Sequence, residues 1–384
     1  MPEEKGLGRV TFAVSKIDKG IGNSVKRVIN LTGGLGKKGK VLIKPNVVFA
    51  IRPSSGIVTN PDVIEAIVKY MISEGFDPGN ITIGESGSMG FDTKRAFRKT
   101  GMNSIGKKYD VNMMDLSEGE KTTKSVKING RVIGLDIAKI VFESDLIINV
   151  PVIKTHFQTG MTMAVKNMFG VLGFESRKTV HKYCLDEGIA QLNRVIPNYI
   201  TIGDASIGLE GFGPSVLGKA GNWGLIFSSK DPVAHDSAVC SLFGVDLPRH
   251  VKMASDIGVG VSDLGRIDIV GEDAENLKRK IRPALGNFSP LKNVNAIDGG
   301  ACAYCLYAVY LVLLRLSTQK IKSEKEIEVL FGRNIDEKAC DPKKEKLLCG
   351  DCTKMFRDKY GNFLPGCPPK KEDIIRFVKR LLET

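Results

Sequence analysis

Between Lys154 and Lys166 the chain places an imidazole and two amines within 13 residues: Lys154-Thr155-His156 followed by Met161-Thr162 and Val165-Lys166-Asn167. Two nearby ammonium groups disfavour imidazolium, so His156 should be neutral near pH 7 and suited to general-base work or metal ligation. Thr162 and Lys166 are four apart and share a face on a helix beginning near Thr162, close to the helix start where anions are favoured. A lone histidine more often caps or packs, but three polar functions this close together argue for a site, with Lys154, His156 and Lys166 as its catalytic candidates. His181, His235 and His250 have no such company and read as structural or surface residues. Asp204 and Asp236 are carboxylates able to bind a cation or transfer a proton, and Asp231-Pro232 reads as a helix start.

A second chemistry is carried by sulfur. Six of the eight cysteines lie beyond residue 298, including two Cys-x-x-Cys pairs, Cys302/Cys305 and Cys349/Cys352, with Cys340 and Cys367-Pro368 beside them. Four thiolates can hold structural zinc, but the interval from Cys305 to Cys349 exceeds the roughly 15–20 residues of a zinc ribbon. Four thiolates also hold an iron–sulfur cluster, and a ligand followed by proline occurs in bacterial ferredoxin runs. The residues favour a cluster and leave zinc open. Disulfides rank third, because residues 1–5 lead into a strand-like segment without the apolar core of an export signal, and a cytoplasmic location is expected.

These groups need elements to hold them. Residues 40–44 read as a strand, and Asn60-Pro61 reads as a cap with proline at the first helical position. Val63, Ile64, Ile67, Val68, Met71 and Ile72 then form one apolar helix face that Gly75 ends. A strand at 81–84, a helix over 92–101, a strand near 111–114 and a helix near 137–142 follow. The runs 146–150 and 199–202 are continuously apolar, as in strands buried on both faces of a parallel sheet. The fold class is therefore α/β, a mostly parallel sheet flanked by helices over residues 1–290. A small cysteine-rich metal domain is expected over 291–384, with a charged linker at 320–328 and a closing amphipathic helix over 371–382 that packs back onto the body.

Ligands of such sheets bind at the carboxyl ends of strands. The residues there nominate Lys44, Asn46, Ser86, Thr155, Thr162, Asn167 and Asp204 as substrate contacts. The glycines at 84, 87 and 90 match neither a Walker loop nor a dinucleotide fingerprint, and they suit an anion loop at most.

Composition sets the bounds. With 384 residues, 42% hydrophobic and 26% charged, the chain is that of a folded protein of two to three domains and not a disordered one. Lys plus Arg exceed Asp plus Glu by 56 − 43 = 13, which favours an anionic partner, yet no nucleic-acid motif is present. The longest apolar run, 301–314, is shorter than the ~20 residues a bilayer requires and reads as a buried helix, so no membrane partner is expected.

The stretches Lys44-Pro45-Asn46, Val150-Pro151-Val152-Ile153-Lys154-Thr155-His156, Met161-Thr162 with Val165-Lys166-Asn167-Met168-Phe169-Gly170, and Lys230-Asp231-Pro232-Val233-Ala234-His235-Asp236 together resemble the family catalogued as domain of unknown function 362, over roughly residues 40–245. His235 stands where that family more often has an apolar residue. Many members carry a ferredoxin-like or cysteine-rich region and are described as iron–sulfur proteins, and the tail here looks like an archaeal version of it. The resemblance implies a cluster, of 4Fe-4S type, on Cys302, Cys305, Cys352 and Cys367, with Cys349 and Cys340 as spares. A fainter likeness to the lactate racemase family, which uses a nickel pincer cofactor, lies in the histidine ahead of a lysine-bearing helix start. The resulting expectation is an iron–sulfur redox enzyme or electron-transfer protein acting on a small anionic substrate, with a redox partner protein. Its rivals are a non-redox racemase or lyase of a small carboxylate with structural zinc, and a non-catalytic binding protein.

Overall fold

In the computed structural model the described residues are 8–36, 38–87, 92–284, 291–301, 303–319 and 323–383. Contacts divide the chain into one unit up to residue 284 and a second beyond it. In the larger unit the strands are β1 (Val10–Lys16), β2 (Val41–Pro45), β3 (Ile81–Glu85), β4 (Asn112–Asp115), β5 (Lys121–Ile128), β6 (Arg131–Ala138), β7 (Leu146–Val150), β8 (Val152–His156), β9 (Gly160–Thr162), β10 (Ile200–Gly211), β11 (Gly218–Ser229) and β12 (Ile267–Gly271).

The main sheet runs β12-β1-β11-β10-β7-β2-β3-β4, and along this path every strand is parallel to the rest except β11. Such a sheet is covered on both faces, which is why β2 and β7 read as unbroken apolar runs. One cover includes the helices Ile21–Leu31 and Pro61–Ser73, whose Val25, Val28, Ile64 and Ile67 are fully buried against Ile43, Ile83 and Ile148. On the other side Leu42 and Ile147 meet Val165, Met168, Ile189 and Leu192.

Local chemistry sets the helix ends. The Asn60 side chain accepts from the Asp62 N–H ahead of Pro61, Asp92 accepts from the Arg95 N–H, and Gly101 closes that helix at φ 85°. Asp231 accepts from the N–H groups of Val233 and Ala234, starting the helix Pro232–Phe243.

Three expectations change. The helix near 137–142 is mostly strand: β5 and β6 form an antiparallel hairpin, and only Ile140–Glu143 is helical. Pro151 does not end the run at β7. The chain bends there and continues as β8, which pairs with β10 farther along, past a register shift. Lastly, β10 extends to Gly211, so Asp204 lies inside a strand and not at its carboxyl end.

The second unit is more regular than the loop-rich tail expected. It has its own all-parallel sheet in sequential order, β13 (Val294–Gly299), β14 (Ile327–Gly332), β15 (Glu345–Cys349) and β16 (Phe363–Leu364). The end of the expected charged linker, from Ile327, already belongs to β14, while residues 320–322 lie outside the described residues. The helix Ala303–Ser317 confirms the buried apolar helix, and the closing helix Lys371–Glu383 packs on it and on β15 and β16 of the same unit. No described helix is long and apolar enough to cross a membrane.

Candidate functional site

The hairpin of β8 and β9 sets the geometry. Lys154 stands opposite Thr162 and His156 opposite Gly160, so Lys154, His156 and Thr162 project from one face of the ribbon. Thr162 therefore ends a strand and does not open a helix. The helix that carries Lys166 is a single turn, Ala164–Asn167. Its first two N–H groups, of Ala164 and Val165, donate to the two carboxylate oxygens of Asp236 at 2.8 and 3.0 Å, and the His235 imidazole bonds the same carboxylate through Nδ1 at 2.8 Å. The position expected to attract an anionic substrate is thus filled by the protein's own carboxylate. Asp236 anchors the turn that carries Lys166.

Lys44 and Lys154 are both fully buried, yet their surroundings differ. Lys44 pairs with Glu85 at 2.7 Å and donates to the Pro45 carbonyl at 2.8 Å. Glu85 also accepts from the N–H groups of Val47 and Ser86. Ser86 gives its hydroxyl to the Gly170 carbonyl, and a Cβ at Gly170 would lie 2.5 Å from a Glu85 oxygen, so only glycine fits above the pair. Lys154 has no ion pair with a carboxylate among the described residues. It donates to Asn46 Oδ1 at 2.6 Å and to the Ile57 carbonyl, and Asn46 continues through Asn167 to Asn149, each link at 2.7 Å. Asn46 and Asn167, expected to touch substrate, spend these amide groups holding Lys154. The Thr155 hydroxyl bonds the carbonyls of Leu209 and Gly211, and Asp204 accepts from the Asn60 N–H and from Ser206.

Burial, then the charges of Lys166 and Lys44, drives the Lys154 amine well below its usual range despite Glu85. Burial also holds His156 well below an ordinary histidine, helped by Lys166, Lys154, His181 and His250. Lys166 is brought down to about 8 by burial, with Asp186 opposing. The Gln158 N–H donates to His156 Nδ1 at 3.1 Å, so the neutral ring carries its proton on Nε2. His156 therefore presents a donor at Nε2, with its Nδ1 lone pair taken up by the Gln158 N–H.

The sequence reading missed part of this centre. His181 and His250 both face His156 electrostatically, so three of the four histidines gather here. His250 is fully buried, neither ring nitrogen has a hydrogen-bond partner among the described residues, and Asp186 lies 3.5 Å from Nδ1. Arg177 adds a further buried cation, donating to the Gly87 carbonyl. Their separation in sequence left no local spacing to detect.

Acid acts on two groups in opposite senses. His181 is lowered by burial from 6.5 to about 4, so the unfolded chain takes up its proton first and stability falls from pH 6.5 to 4, by about 3 kcal/mol. Asp204 is raised by burial from 3.8 to about 6, so the native state takes up its proton first and stability rises between pH 6 and 4 by a similar amount. In urea titrations at pH 7, 5.5 and 4.5, Asp204→Asn is expected to steepen the acid loss and His181→Asn to flatten it.

The smaller unit gathers its cysteines differently from a ferredoxin run. Cys305 lies in the first turn of its helix, Cys349 ends β15, Cys352 follows it, and Cys367 follows β16, all toward the carboxyl ends of parallel strands. The Gly350 N–H donates to Leu364 and the Asp351 N–H to Gly366, which brings the Cys352 and Cys367 loops together. Gly350, at φ 96°, leaves room for Cys305, whose sulfur would lie 3.2 Å from a Cβ there. Of the spares, Cys340 sits by Glu328 near the other end of the strands with its thiol toward the Asp336 carbonyl, and burial pushes the Cys349 thiol up to about 12. Cys302 lies outside the described residues. Among the described residues no three His, Cys, Asp or Glu side chains are placed to hold a metal ion.

The family model described as domain of unknown function (DUF362) matches residues 41–241, which include the Lys44, Lys154, Lys166 and Asp236 positions. A thylakoid-associated protein of Synechocystis is 26% identical over 251 residues, covering 62% of this chain and 75% of that protein. Two solved structures share 13% identity: a Thermotoga maritima protein, with TM-score 0.43 over 96% of this chain and 84% of that one, and the lactate racemase apoprotein of Thermoanaerobacterium thermosaccharolyticum, with TM-score 0.42 over 100% and 83%.

Proposed function

Because this chain belongs to the DUF362 family, whose matched stretch contains all three lysines of the buried centre, we propose that its larger unit is an enzyme domain that binds a small carboxylate-bearing anion and transfers a proton on it. The observation that carries this reading is Lys154: a fully buried amine whose only acceptors among the described residues are an amide and a backbone carbonyl, facing further cations. A buried ammonium without a carboxylate is costly, and either an incoming anion or loss of the proton relieves it. Both serve the same chemistry. The Thr162 hydroxyl and Lys166 meet the anion, His156 donates from Nε2, and the Lys154 amine, with two N–H bonds given to Asn46 and Ile57, keeps a lone pair to accept a proton.

The test is calorimetric and thermal-shift titration with acetate, oxalate, malonate, pyruvate and phosphate. A carboxylate should raise the midpoint, by about 2.7 kcal/mol at a hundred times Kd, and Lys154→Met should weaken its binding about tenfold or more. No response to any of these anions, or an unchanged Lys154→Met, removes the proposal.

A second reading concerns the smaller unit, as an iron–sulfur redox module held by Cys302, Cys305, Cys352 and Cys367, with zinc as the alternative occupant. What favours it is the space that Gly350 leaves beside Cys305 and the pairing of the two later cysteine loops. Anaerobic purification with iron, sulfide and zinc analysis should find iron and sulfide that Cys305→Ser and Cys367→Ser lose. Zinc alone would remove the redox reading.

A further inference from the structure

We propose that Lys166 is a nucleophile that condenses with the carbonyl group of a small oxo acid, forming an imine in the site just proposed, on which this inference rests. The three interior lysines are not equivalent. Lys44 is tied to Glu85 and the Pro45 carbonyl, and Lys154 to Asn46 and the Ile57 carbonyl. The Lys166 amine has no hydrogen bond or ion pair with any described residue, and its side chain is only partly buried. It is the amine left for a ligand.

Its backbone is fixed on both sides. Asp236 holds the N–H groups of Ala164 and Val165, and the Asn167 side chain is locked to Asn46 and Asn149. An amine rising from so rigid a turn has little orientational entropy to lose when it reacts. Near its turn are polar atoms without hydrogen-bond partners among the described residues: the Thr162 hydroxyl, 2% exposed, and Nε2 of His250, 0% exposed, whose Nδ1 faces Asp186 at 3.5 Å. The strands and helices that carry them are neighbours, since a Cβ at Gly160 would lie 3.8 Å from Pro248 Cγ. Unpaired buried donors are expensive, and a ligand with several oxygens would satisfy them.

The step balances without an outside oxidant or reductant. The lone pair of Lys166, available because the amine titrates near 8, attacks the carbonyl carbon and forms the C–N bond. The carbonyl oxygen takes up a proton, and the nitrogen loses one. The carbinolamine C–O bond then breaks, and its hydroxyl departs as water with the proton that the Lys166 ammonium released to solvent on becoming the free amine. The neutral His156 ring only hydrogen-bonds the departing oxygen through Nε2–H. The protonated imine keeps the positive charge that the carboxylate and Asp186 face.

The intact protein would be incubated at pH 7.5 with glyoxylate and, separately, formaldehyde, each with cyanoborohydride, and the modified lysines mapped by mass spectrometry. A pKa near 8 gives far more free amine than 10.5, partly offset by weaker nucleophilicity, so Lys166 should label about tenfold faster than exposed lysines. Lys166→Arg should lose this label with both reagents. Lys154→Met, checked for folding by near-ultraviolet dichroism, should keep it with formaldehyde, which has no carboxylate to bind, and slow it with glyoxylate. Labelling of Lys166 no faster than surface lysines with both reagents overturns the proposal. If glyoxylate raises the thermal midpoint without labelling Lys166, the imine falls and the anion site stands; if it does neither while oxalate binds, the imine alone again falls. A protein that no carboxylate stabilises and no aldehyde labels at Lys166 loses both readings.

Discussion

Asp236→Ala is expected to leave the larger unit at or near the edge of unfolding, while Asp236→Asn stays folded with a clearly lower urea midpoint. The carboxylate accepts three bonds in a fully buried place: from Ala164 and Val165 N–H, and from His235 Nδ1. Alanine strands all three partners, each at about 1–3 kcal/mol, against a total stability of about 5–15 kcal/mol. Asparagine keeps one acceptor oxygen and turns the other position into a donor facing a donor, so it should fall between. The turn that carries Lys166 loosens in both. If Lys166 reacts from a fixed position, Asp236→Asn should lose its fast aldehyde labelling even though the fold survives. An Asp236→Ala midpoint indistinguishable from that of the parent protein would show that another group satisfies these donors. Gly203 belongs to the same arrangement: a Cβ there would lie 2.4 Å from His235 Nε2, so the ring keeps its place only over a glycine.

How much of this could be read from sequence follows the range of the interactions. The helix starts at Asn60 and Asp231 were legible because donor and acceptor lie within three residues of each other. Continuously apolar β7 was legible because both of its faces are covered, and Asn149, alone in that run, was the available sign of a polar chain beneath it. The β5–β6 hairpin was misread although Ile133, Leu135 and Ile137 alternate as a half-buried strand should; Val141 and Phe142 beyond them suggested a helix instead. The lysine–threonine–histidine segment was found as a cluster, but its roles were assigned from a helix that starts two residues later than expected. What spacing could not supply was partnership across the chain. Glu85 is 41 residues from Lys44, and Asp236 is 72 from Ala164. In the smaller unit the spread of cysteines looked anomalous for a metal ribbon because they punctuate the ends of successive parallel strands, and their spacing is therefore set by whole strand and crossover lengths.

The Lys44–Glu85 pair should behave as one unit, with a marked asymmetry between its halves. Removing Glu85 as alanine leaves a fully buried ammonium with only the Pro45 carbonyl, and it also strands the N–H groups of Val47 and Ser86. Breaking a buried pair in this way costs about 3–5 kcal/mol. Lys44→Met leaves Glu85 with two backbone donors, so its cost should be smaller. In the double variant Lys44→Met/Glu85→Gln neither charge remains, and glutamine still offers one oxygen to the two N–H groups. Its loss should be less than that of Glu85→Ala alone, and the cycle built with the single Lys44→Met and Glu85→Gln variants should show a coupling of about 2 kcal/mol or more in urea denaturation. Additivity within about 0.5 kcal/mol would mean that water enters and screens the pair. Gly170→Ala probes the same place without touching either charge, because its new methyl would press between Glu85 Oε1 at 2.5 Å and Lys44 Nζ at 2.8 Å. Neither partner has slack, since Glu85 is held by two N–H groups and the Gly170 carbonyl holds Ser86. The pair must open or the Met168–Val171 turn must lift, and a lifted turn carries the adjoining Lys166 turn with it. Gly170→Ala should therefore weaken anion binding at a site it does not line, with a stability loss that persists when it is combined with Lys44→Met/Glu85→Gln, because the clash is steric and the glutamine keeps an oxygen in place.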